Sequence, residues 1–245
     1  MALPDVVDSD EWIRARKALL SREKELTRMH DQLNADRRRL PMVRIEKEYL
    51  LHGRDGDVGL AEMFDGRRQL IIQHFMFDPS WDDGCESCTA STDDISDGLV
   101  AHLNARDTSF ALVSRAPLAK LEGYRQRKGW TLPWYSSADS DFNYDFHVSL
   151  DASKAPLMFN YRDQAELEAV GMGWTAEAPT EQPGVSAFLN DGDAIFHTYS
   201  TFGRGTEQLG GAYNFLDITA LGRQEEWEEP KGRGGDGRPP NPSFT

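Results

Sequence analysis

The sequence predicts an α/β fold with a central mixed sheet in a three-layer arrangement, preceded by an N-terminal helical extension. Three features of the chain lead to this prediction. Residues 70–77 form a near-continuous apolar run, which is typical of a central strand covered on both faces. A second apolar run, residues 108–114, follows a helix-length segment, as expected for a strand–helix–strand unit. Two further strand-like runs flank the Asp-Gly turn sequence at residues 190–193.

Composition limits the classes of partner. The chain has 245 residues, and its 39% hydrophobic content is enough for a packed core. Its 41 acidic residues outnumber 27 basic ones, which gives a net charge of −14. Binding to nucleic acid or to an anionic membrane surface requires a basic face, so neither partner is expected. No apolar stretch approaches the ~18 residues of a membrane span and no secretory signal is recognised, so we expect a cytoplasmic protein.

Residues 1–41 are predicted to be a helical extension, with one long helix over residues 9–40. Asp8 and Glu11 have the spacing of a capping box, and Pro41 ends the helix. Apolar side chains form an irregular stripe along this helix: Trp12, Leu19, Leu20, Leu26, Met29 and Leu33. Appended amphipathic helices of this length often pack on a neighbour, and a homodimer formed through this helix is one arrangement that it allows.

The main domain is expected over residues 42–223. Its first part is predicted to be a strand over residues 42–51, a loop over residues 53–59 and a helical turn over residues 60–64. The central strand and a short loop then lead into a single helix over residues 85–104. The domain therefore begins with strands and reaches its first long helix directly after the central strand.

The second half of the domain continues with a helix over residues 117–128, for which Gly129 is the predicted C-terminal cap. Residues 161–172 have a weak helical pattern, and residues 205–216 are predicted to form a final helix. Residues 224–245 are rich in glycine and proline and cannot bury a core, so we expect a flexible tail there.

The only two cysteines of the chain, Cys85 and Cys88, follow the central strand after a short loop and open the predicted helix. A helix N-terminus favours a thiolate, because its unpaired backbone N–H groups and the helix dipole stabilise an anion. A spacer of two residues brings both sulfurs onto one helical face. This arrangement indicates a thioredoxin-like domain with a redox-active dithiol. Cys85 lies nearer the helix start and is assigned as the attacking thiolate, with Cys88 as the resolving thiol.

Three other interpretations of the cysteine pair remain open. The pair could be a static disulfide, although a single disulfide is unusual in a chain without a secretory signal. Both cysteines could also be inert buried thiols. Finally, the pair could be half of a zinc site, which would take its other ligands from carboxylates or from His74, His102, His147 and His197. The sequence offers no compact His-x-His spacing for such a site, so no metal is predicted.

Acidic residues surround the cysteine pair and oppose its activation. Asp78, Asp82, Asp83 and Glu86 lie within a few residues of Cys85. Negative neighbours raise the pKa of a thiol, because they disfavour a second negative charge nearby. The helix terminus must outweigh them if Cys85 is to react near neutral pH.

Aromatic residues crowd the segment that follows Gly129 and would form either core or a hydrophobic groove. Together with Trp81 beside the cysteines, three of them are candidate substrate-binding residues: Trp130, Trp134 and Tyr135. His197, on the second strand of the predicted hairpin, is a further candidate. It would either assist thiolate formation or join a hydrogen-bonded network with Tyr199 and Ser200. His74, on the central strand, is expected to be a core histidine.

Several motifs in order resemble one bacterial family of predicted dithiol–disulfide oxidoreductases, catalogued as a domain of unknown function. The strings that carry the resemblance are FMFDPSWDDGCESC, VSRAPLAKLEGYRQRKGWTLPWYSS, DFNYDFHV, PGVSAFLNDGDAIFHTYSTFGRG and LDITALGR. The resemblance runs from about the N-terminal helix to Arg223 and implies a thioredoxin-like fold. It places the family's dithiol on Cys85 and Cys88 and its aromatic segment on Trp130, Pro133 and Trp134.

The leading prediction is a thiol–disulfide oxidoreductase that acts without a cofactor on a thiol or disulfide of a protein or small molecule. A close variant is a peroxiredoxin-like thiol peroxidase, in which Cys85 attacks a peroxide. The usual peroxidatic Thr-x-x-Cys pattern is absent, because Trp-Asp-Asp-Gly precedes Cys85. The third alternative is a non-catalytic binding module with the same fold, in which the cysteines are structural or metal-bound.

Overall fold

The computed structural model describes residues 4–211, 214 and 216–219. Contacts divide the chain into two compact units, of which one contains residues 1–41 and the other contains residues 42–211. Among the described helices, none is both long enough and apolar enough to cross a membrane. The predicted domain end at residue 223 and the predicted tail lie outside the described residues.

The first unit contains helix α1, which spans Ser9–Arg37. The helix begins as predicted, because the side chain of Asp8 accepts a hydrogen bond of 2.8 Å from the backbone N–H of Glu11. It ends at Arg37, before the predicted residue 40. No residue of α1 is buried.

The second unit contains the strands and the remaining helices. The helices are α2 Glu86–Asp93, α3 Asp97–Asn104, α4 Leu118–Lys128, α5 Phe142–Asp145 and α6 Gln164–Ala169. Single 3₁₀ segments cover Glu62–Phe64, Gly173–Ala176 and Gly203–Leu209. The strands are β1 Val43–Arg44, β2 Leu50–Gly53, β3 Gly56–Gly59, β4 Gln69–His74, β5 Thr108–Ser114, β6 Trp134–Ser136, β7 Ser149–Leu150, β8 Met158–Phe159, β9 Arg162–Asp163, β10 Thr180–Glu181, β11 Gly184–Asn190 and β12 Ile195–Phe202.

Eight strands form one mixed sheet in the order β1-β12-β11-β4-β5-β6-β2-β3. Strands β4, β5 and β6 run parallel, whereas β11 runs antiparallel to β4 and β12 runs antiparallel to β11. A βαβ unit from β4 through α2 and α3 to β5, placed beside a hairpin of β11 and β12, is the arrangement of a thioredoxin-like fold. The predicted α/β class and central mixed sheet are confirmed.

The sheet separates two hydrophobic clusters, because successive side chains of a strand point to opposite faces. On β4, Leu70 and Ile72 belong to the first cluster, which also contains Phe142, Phe146 and Phe188. Phe75, directly after β4, belongs to the second cluster, which lies on the face of α2 and α4. The second cluster contains Phe77, Cys88, Leu112, Leu121, Tyr124 and Trp134. The cysteine pair therefore lies over the second cluster.

The predicted strand over residues 42–51 is wrong, because this segment forms two short strands at different places in the sheet. Strand β1 pairs with β12, whereas β2 pairs with β6. The predicted loop over residues 53–59 is a hairpin instead, with β2 paired to β3. The two strands are separated in the sheet order because β1 lies at one end of it and β2 near the other.

The predicted single helix over residues 85–104 is also divided in two. Helix α2 ends at Asp93, and α3 begins at Asp97. The side chain of Ser96 accepts a hydrogen bond of 3.1 Å from the backbone N–H of Leu99 and so caps a new helix. In the predicted final helix over residues 205–216, residues up to Leu209 belong to a 3₁₀ segment.

Candidate active site

The cysteine pair lies where the central strand gives way to helix α2. After β4 the chain stays buried through Phe75 and Phe77 and then forms a loop over residues 78–84. Cys85 is the N-cap residue of α2, and its backbone N–H donates a hydrogen bond of 3.0 Å to the carbonyl of Met76. This bond returns the end of the loop to its start and fixes Cys85 beside the strand.

Gly84 allows the approach of Cys85 to the core. A Cβ atom at Gly84 would lie 2.5 Å from the ring of Phe75, which is closer than real Cβ contacts. Phe75 is itself 1% exposed and has no room to retreat. A residue without a side chain is therefore required directly before the first cysteine.

The first turn of α2 directs hydrogen-bond donors at the sulfur of Cys85. The thiol of Cys88 has the largest effect on this sulfur, and the backbone N–H groups of Cys88 and Ser87 and the hydroxyl of Ser87 also favour its anionic form. These donors stabilise a thiolate and outweigh partial burial, so the pKa of Cys85 is lowered to about 6. Cys85 is therefore ionised at neutral pH.

Cys88 has the opposite character. It is 4% exposed, and its pKa is raised well above the ordinary value. The causes are the hydrogen bond that its thiol donates to Cys85, its burial, and the negative charge on Cys85. Both cysteines are free thiols in this structure. The site thus pairs a half-buried thiolate with a buried, protonated thiol.

Cationic residues hold the acidic loop that precedes the cysteines. Arg115 forms an ion pair with Asp78, and Arg127 forms an ion pair with Asp83. The Nζ of Lys120 donates hydrogen bonds of 2.9 Å to the carbonyl of Pro79 and 2.6 Å to the carbonyl of Trp81. The pKa of Cys85 is nevertheless lowered and not raised, and the largest cause is the neighbouring thiol of Cys88.

Arg115 is the centre of a buried polar network that the sequence did not reveal. Besides Asp78, its guanidinium contacts Glu181 at 2.7 Å and the hydroxyl of Tyr144 at 3.1 Å. Glu181 is 4% exposed and accepts two further hydrogen bonds from the hydroxyl of Ser149. Burial raises the pKa of Glu181, although the charge of Arg115 opposes this rise. The network fixes Asp78, and with it the start of the active-site loop.

A second chain of hydrogen bonds supports the first turn of α2. The hydroxyl of Thr89 donates a hydrogen bond of 2.9 Å to the carbonyl of Cys85. The hydroxyl of Tyr124, on α4, lies 2.8 Å from that of Thr89. Since the Thr89 hydroxyl donates to the carbonyl, Tyr124 donates to Thr89. Helix α4 therefore helps to position the residue that carries the thiolate.

The predicted substrate-binding aromatic residues do not form one groove. Trp81 lies on the active-site loop and is 37% exposed. Trp130 is half-buried, and its indole N–H donates a hydrogen bond of 2.9 Å to Asp93 on α2. Of these residues, Trp81 and Trp130 remain candidates for contact with a substrate.

The assignment of Trp134 and Tyr135 to substrate binding is corrected by the structure. Trp134 is 2% exposed and packs in the core, where its indole N–H donates a hydrogen bond of 2.9 Å to Ser114. Tyr135 packs on the first cluster, across the sheet from the cysteines. Because the two residues are adjacent on β6, their side chains point to opposite faces.

His197 also lies across the sheet from the cysteine pair, so the prediction that it assists thiolate formation is wrong. Its ring is 5.4 Å from the ring of Phe146, in the first cluster. Its Nε2 lies 2.7 Å from the hydroxyl of Ser200, which continues through Ser186 to the Nε2 of His74. The predicted network with Ser200 is present, and His74 is a core histidine, 1% exposed.

Within the described ranges, no group of three histidine, cysteine, aspartate or glutamate side chains is placed to hold a metal ion. The alternative zinc site built on Cys85 and Cys88 therefore has no ligand set in this part of the chain. The histidines that would have completed it lie elsewhere, with His74 and His197 on the opposite face of the sheet.

Comparison with known proteins gives a family match and distant structural similarities. The family model described as "Bacterial protein of unknown function (DUF899)" matches residues 1–236. No curated protein matches the chain. Peroxiredoxin Q of Xanthomonas campestris aligns with a TM-score of 0.42 at 13% identity, covering 62% of this chain and 78% of its own. Peroxidoxin BcpB from Mycobacterium tuberculosis aligns with a TM-score of 0.41 at 12% identity, covering 65% and 84%. The strand order of the sheet defines the fold class independently of these similarities.

Proposed function

This chain belongs to the DUF899 family of bacterial proteins of unknown function, and we propose that it is a thiol–disulfide oxidoreductase in which Cys85 attacks and Cys88 resolves. The observation that carries the proposal is the asymmetry of the cysteine pair. The pKa of Cys85 is lowered to about 6, whereas that of Cys88 is raised. Dithiol exchange requires a nucleophilic thiolate, here Cys85, and a neighbouring protonated thiol that resolves the mixed disulfide, here Cys88.

The first step is attack by the Cys85 thiolate on one sulfur of a substrate disulfide. A bond forms between Cys85 and that sulfur, the substrate S–S bond breaks, and the second substrate sulfur leaves as a thiolate. Cys88 then loses its hydrogen-bond acceptor, because the sulfur of Cys85 is no longer anionic. Its pKa falls, and its proton passes to the leaving thiolate or to water.

In the second step the sulfur of Cys88 attacks Cys85 and releases the other half of the substrate as a thiolate. The products are a Cys85–Cys88 disulfide and two substrate thiols, so two electrons pass from the dithiol to the substrate. The same steps in reverse oxidise a substrate dithiol. The potential of the pair relative to that of its partner sets the direction.

Access to the site supports attack by Cys85 rather than by Cys88. Cys85 is half-buried with its sulfur at the helix start, while Cys88 packs against Phe75 and Phe77. Trp81, on the adjacent loop, offers an exposed apolar surface to a substrate. The order of attack therefore follows from which sulfur a disulfide can reach.

Dithiodipyridine, an uncharged aromatic disulfide whose released thiopyridone absorbs light, tests the mechanism directly. The reduced wild-type protein is expected to release two equivalents of thiopyridone and to end with an internal disulfide. Cys88→Ser should release one equivalent and retain a covalent adduct on Cys85. Cys85→Ser should react slowly, because Cys88 is buried. All three proteins should react fully after denaturation, which controls for thiol content.

Three results would reject the proposal. If Cys85→Ser reacts as fast as the wild type, Cys85 is not the nucleophile. If the wild type stops at the adduct, Cys88 does not resolve it, and a binding module becomes the better account. Rapid turnover of hydrogen peroxide without reaction with disulfides would replace the oxidoreductase by a thiol peroxidase.

A further inference from the structure

The segment that carries the cysteine pair is acidic over its whole length. Between Arg68 and Arg106 the sequence has no lysine or arginine. Acidic residues lie there on both sides of the cysteines: Asp78, Asp82, Asp83, Glu86, Asp93, Asp94 and Asp97. Negative neighbours disfavour a thiolate, and the pKa of Cys85 is low in spite of them. The carboxylates therefore do not serve to activate the nucleophile.

The cations that reach this segment are already bound. Among the described residues four do so, and their contacts are Arg115 with Asp78 and Glu181, Arg127 with Asp83, Lys128 with Asp93, and Lys120 with two backbone carbonyls of the loop. Asp82 and Glu86, which flank Cys85 in the chain, are both exposed. Asp82 has no ion-pair partner in the described part of the chain. An excess of negative charge therefore surrounds the sulfur that a substrate must reach.

Trp81 lies beside Asp82 on a turn that several hydrogen bonds hold. The backbone N–H of Trp81 donates a hydrogen bond of 3.0 Å to the carbonyl of Asp78. The carboxylate of Asp78 accepts hydrogen bonds of 2.8 Å and 2.7 Å from the backbone N–H and the hydroxyl of Ser80. The Nζ of Lys120 donates one of 2.6 Å to the carbonyl of Trp81. The indole, which is 37% exposed, is therefore presented on a fixed backbone close to the thiolate.

An exposed indole and an unpaired carboxylate favour the same kind of ligand. The face of an indole attracts a cation more strongly than that of any other aromatic side chain. A carboxylate attracts the same group through its charge. On the basis of the exchange mechanism proposed above, we propose that the substrate is a disulfide that carries a positive charge beside its sulfur, such as a cysteine flanked by lysine or arginine.

The charge of the substrate also affects the step in which bonds change. The Cys85 thiolate forms a bond to the near sulfur, the substrate S–S bond breaks, and the far sulfur leaves as a thiolate. A cation beside the leaving sulfur stabilises its negative charge. An anionic group at that place is repelled by Asp82 and Glu86. For charges about 8 Å apart in water, each such pair changes the rate roughly twofold.

Rates of reduction of three matched peptide disulfides test the proposal. The peptides are blocked at both ends, have the sequences Lys-Cys-Lys, Gln-Cys-Gln and Glu-Cys-Glu, and are joined as symmetrical disulfides. Each rate is divided by the rate of the same disulfide with dithiothreitol, which removes the intrinsic effect of the flanking charges. At low salt, the full-length wild type should reduce the lysine peptide about 10-fold faster than the glutamate peptide, with the glutamine peptide between them.

Three variants locate the source of this preference. Asp82→Asn should narrow the ratio by about twofold or more, and Trp81→Leu should narrow it by removing the cation–π contact. Asp193→Asn is the matched control, because Asp193 is an exposed carboxylate in the turn between β11 and β12. Leu189, before this turn, pairs with Gln69 at the start of β4, whereas the cysteines follow the end of that strand. The control therefore lies roughly 17 Å or more from the site, beyond the Debye length of about 8 Å, and should keep the full ratio.

Equal normalised rates for the three peptides would overturn this inference and leave the exchange mechanism intact. A preference that Asp82→Asn and Trp81→Leu do not change would also overturn it. If the reduced wild type reacts with none of the peptides and not with dithiodipyridine, the exchange mechanism itself is rejected, and this inference with it. Cystamine, a small diamine disulfide, separates the two sources of such a substrate. A normalised rate below that of the lysine peptide assigns a protein segment, and a higher rate assigns a small amine disulfide.

Discussion

The thiol of Cys88 donates a hydrogen bond to the sulfur of Cys85, and the two pKa values move apart as a result. The two sulfurs therefore share one proton, which resides on the buried Cys88. Two interacting groups titrate as a pair, so the lower apparent pKa describes loss of the first proton from the dithiol. The separation between nucleophile and resolving thiol follows from this hydrogen bond and from the donors of Ser87.

The reactivity of Cys85 should therefore follow its depressed pKa. We expect the rate of alkylation of Cys85 by iodoacetamide to rise with pH, with a midpoint near the pKa of about 6. Peptide mapping should show modification of Cys85 and not of Cys88. A midpoint near the ordinary thiol pKa of about 8.5 would contradict the account.

Ser87→Ala should raise that midpoint, because it removes one of the donors to the Cys85 sulfur. Ser91→Ala is the matched control, since Ser91 is an exposed residue of the same helix. The same alkylation series measures both variants. An unchanged midpoint in Ser87→Ala would mean that the hydroxyl does not stabilise the thiolate.

Gly84→Ala should destabilise the protein, because the added Cβ would lie 2.5 Å from the ring of Phe75. Overpacking of a core costs about 1–3 kcal/mol, which urea denaturation can measure. Gly123→Ala is the control. Its Cβ would meet only the end of Arg127 at 3.9 Å, inside helix α4, where alanine is favoured over glycine. Equal effects of the two substitutions would argue against the close contact at Phe75.

Arg115→Met should cost about 3–5 kcal/mol in the free energy of unfolding, because it leaves Glu181 buried without its cation. Arg54→Met removes an ion pair with Glu122 in which Arg54 is 60% exposed, so it should cost about 1 kcal/mol or less. Denaturation of both variants compares the two pairs. Similar small costs would show that the buried network does not fix the active-site loop.

His74 should make the protein sensitive to acid. Burial and the nearby charge of His197 lower the pKa of His74 to about 3, below its ordinary value of 6.5. Between these two values the unfolded chain binds a proton at His74 that the folded protein does not. Stability is therefore complete above pH 6.5 and is lost as the pH falls, by about 1.4 kcal/mol per unit for one proton.

The comparison with His74→Gln isolates this effect from other groups that titrate in acid. The variant should lose stability less steeply than the wild type between about pH 6 and pH 4. His52→Gln provides a comparison in which the pKa shift has the opposite sign, because a hydrogen bond to Asp57 raises the pKa of His52. Identical slopes for the wild type and His74→Gln would contradict the burial of a neutral histidine.

The parts of the fold that depend on local patterns could be predicted from the sequence. Strand β5 matches the predicted run residue for residue, and Gly129 caps α4 in a left-handed conformation, as expected. The position of Cys85 at the start of a helix was also predictable, because Cys-x-x-Cys after a buried strand has a local signature. Each of these features is determined by residues close together in the chain.

Features that depend on distant partners could not be predicted. Arg115 contacts Asp78 and Glu181, which lie 37 and 66 residues away in the chain. The segment over residues 42–51 has the pattern of a strand, but the pattern does not specify which edge of the sheet each half joins. Trp134 and His197 were assigned to the site because their sheet faces were unknown until the register of β6 and β12 was available.

The most direct test of the central claim is a redox titration of the Cys85–Cys88 pair in glutathione or dithiothreitol buffers. Free thiols are trapped with an alkylating agent at each potential and read by mass spectrometry. The account predicts a reversible two-electron transition within the range of known dithiol oxidoreductases, roughly −120 to −270 mV. A pair that never closes to a disulfide under oxidising conditions would contradict it.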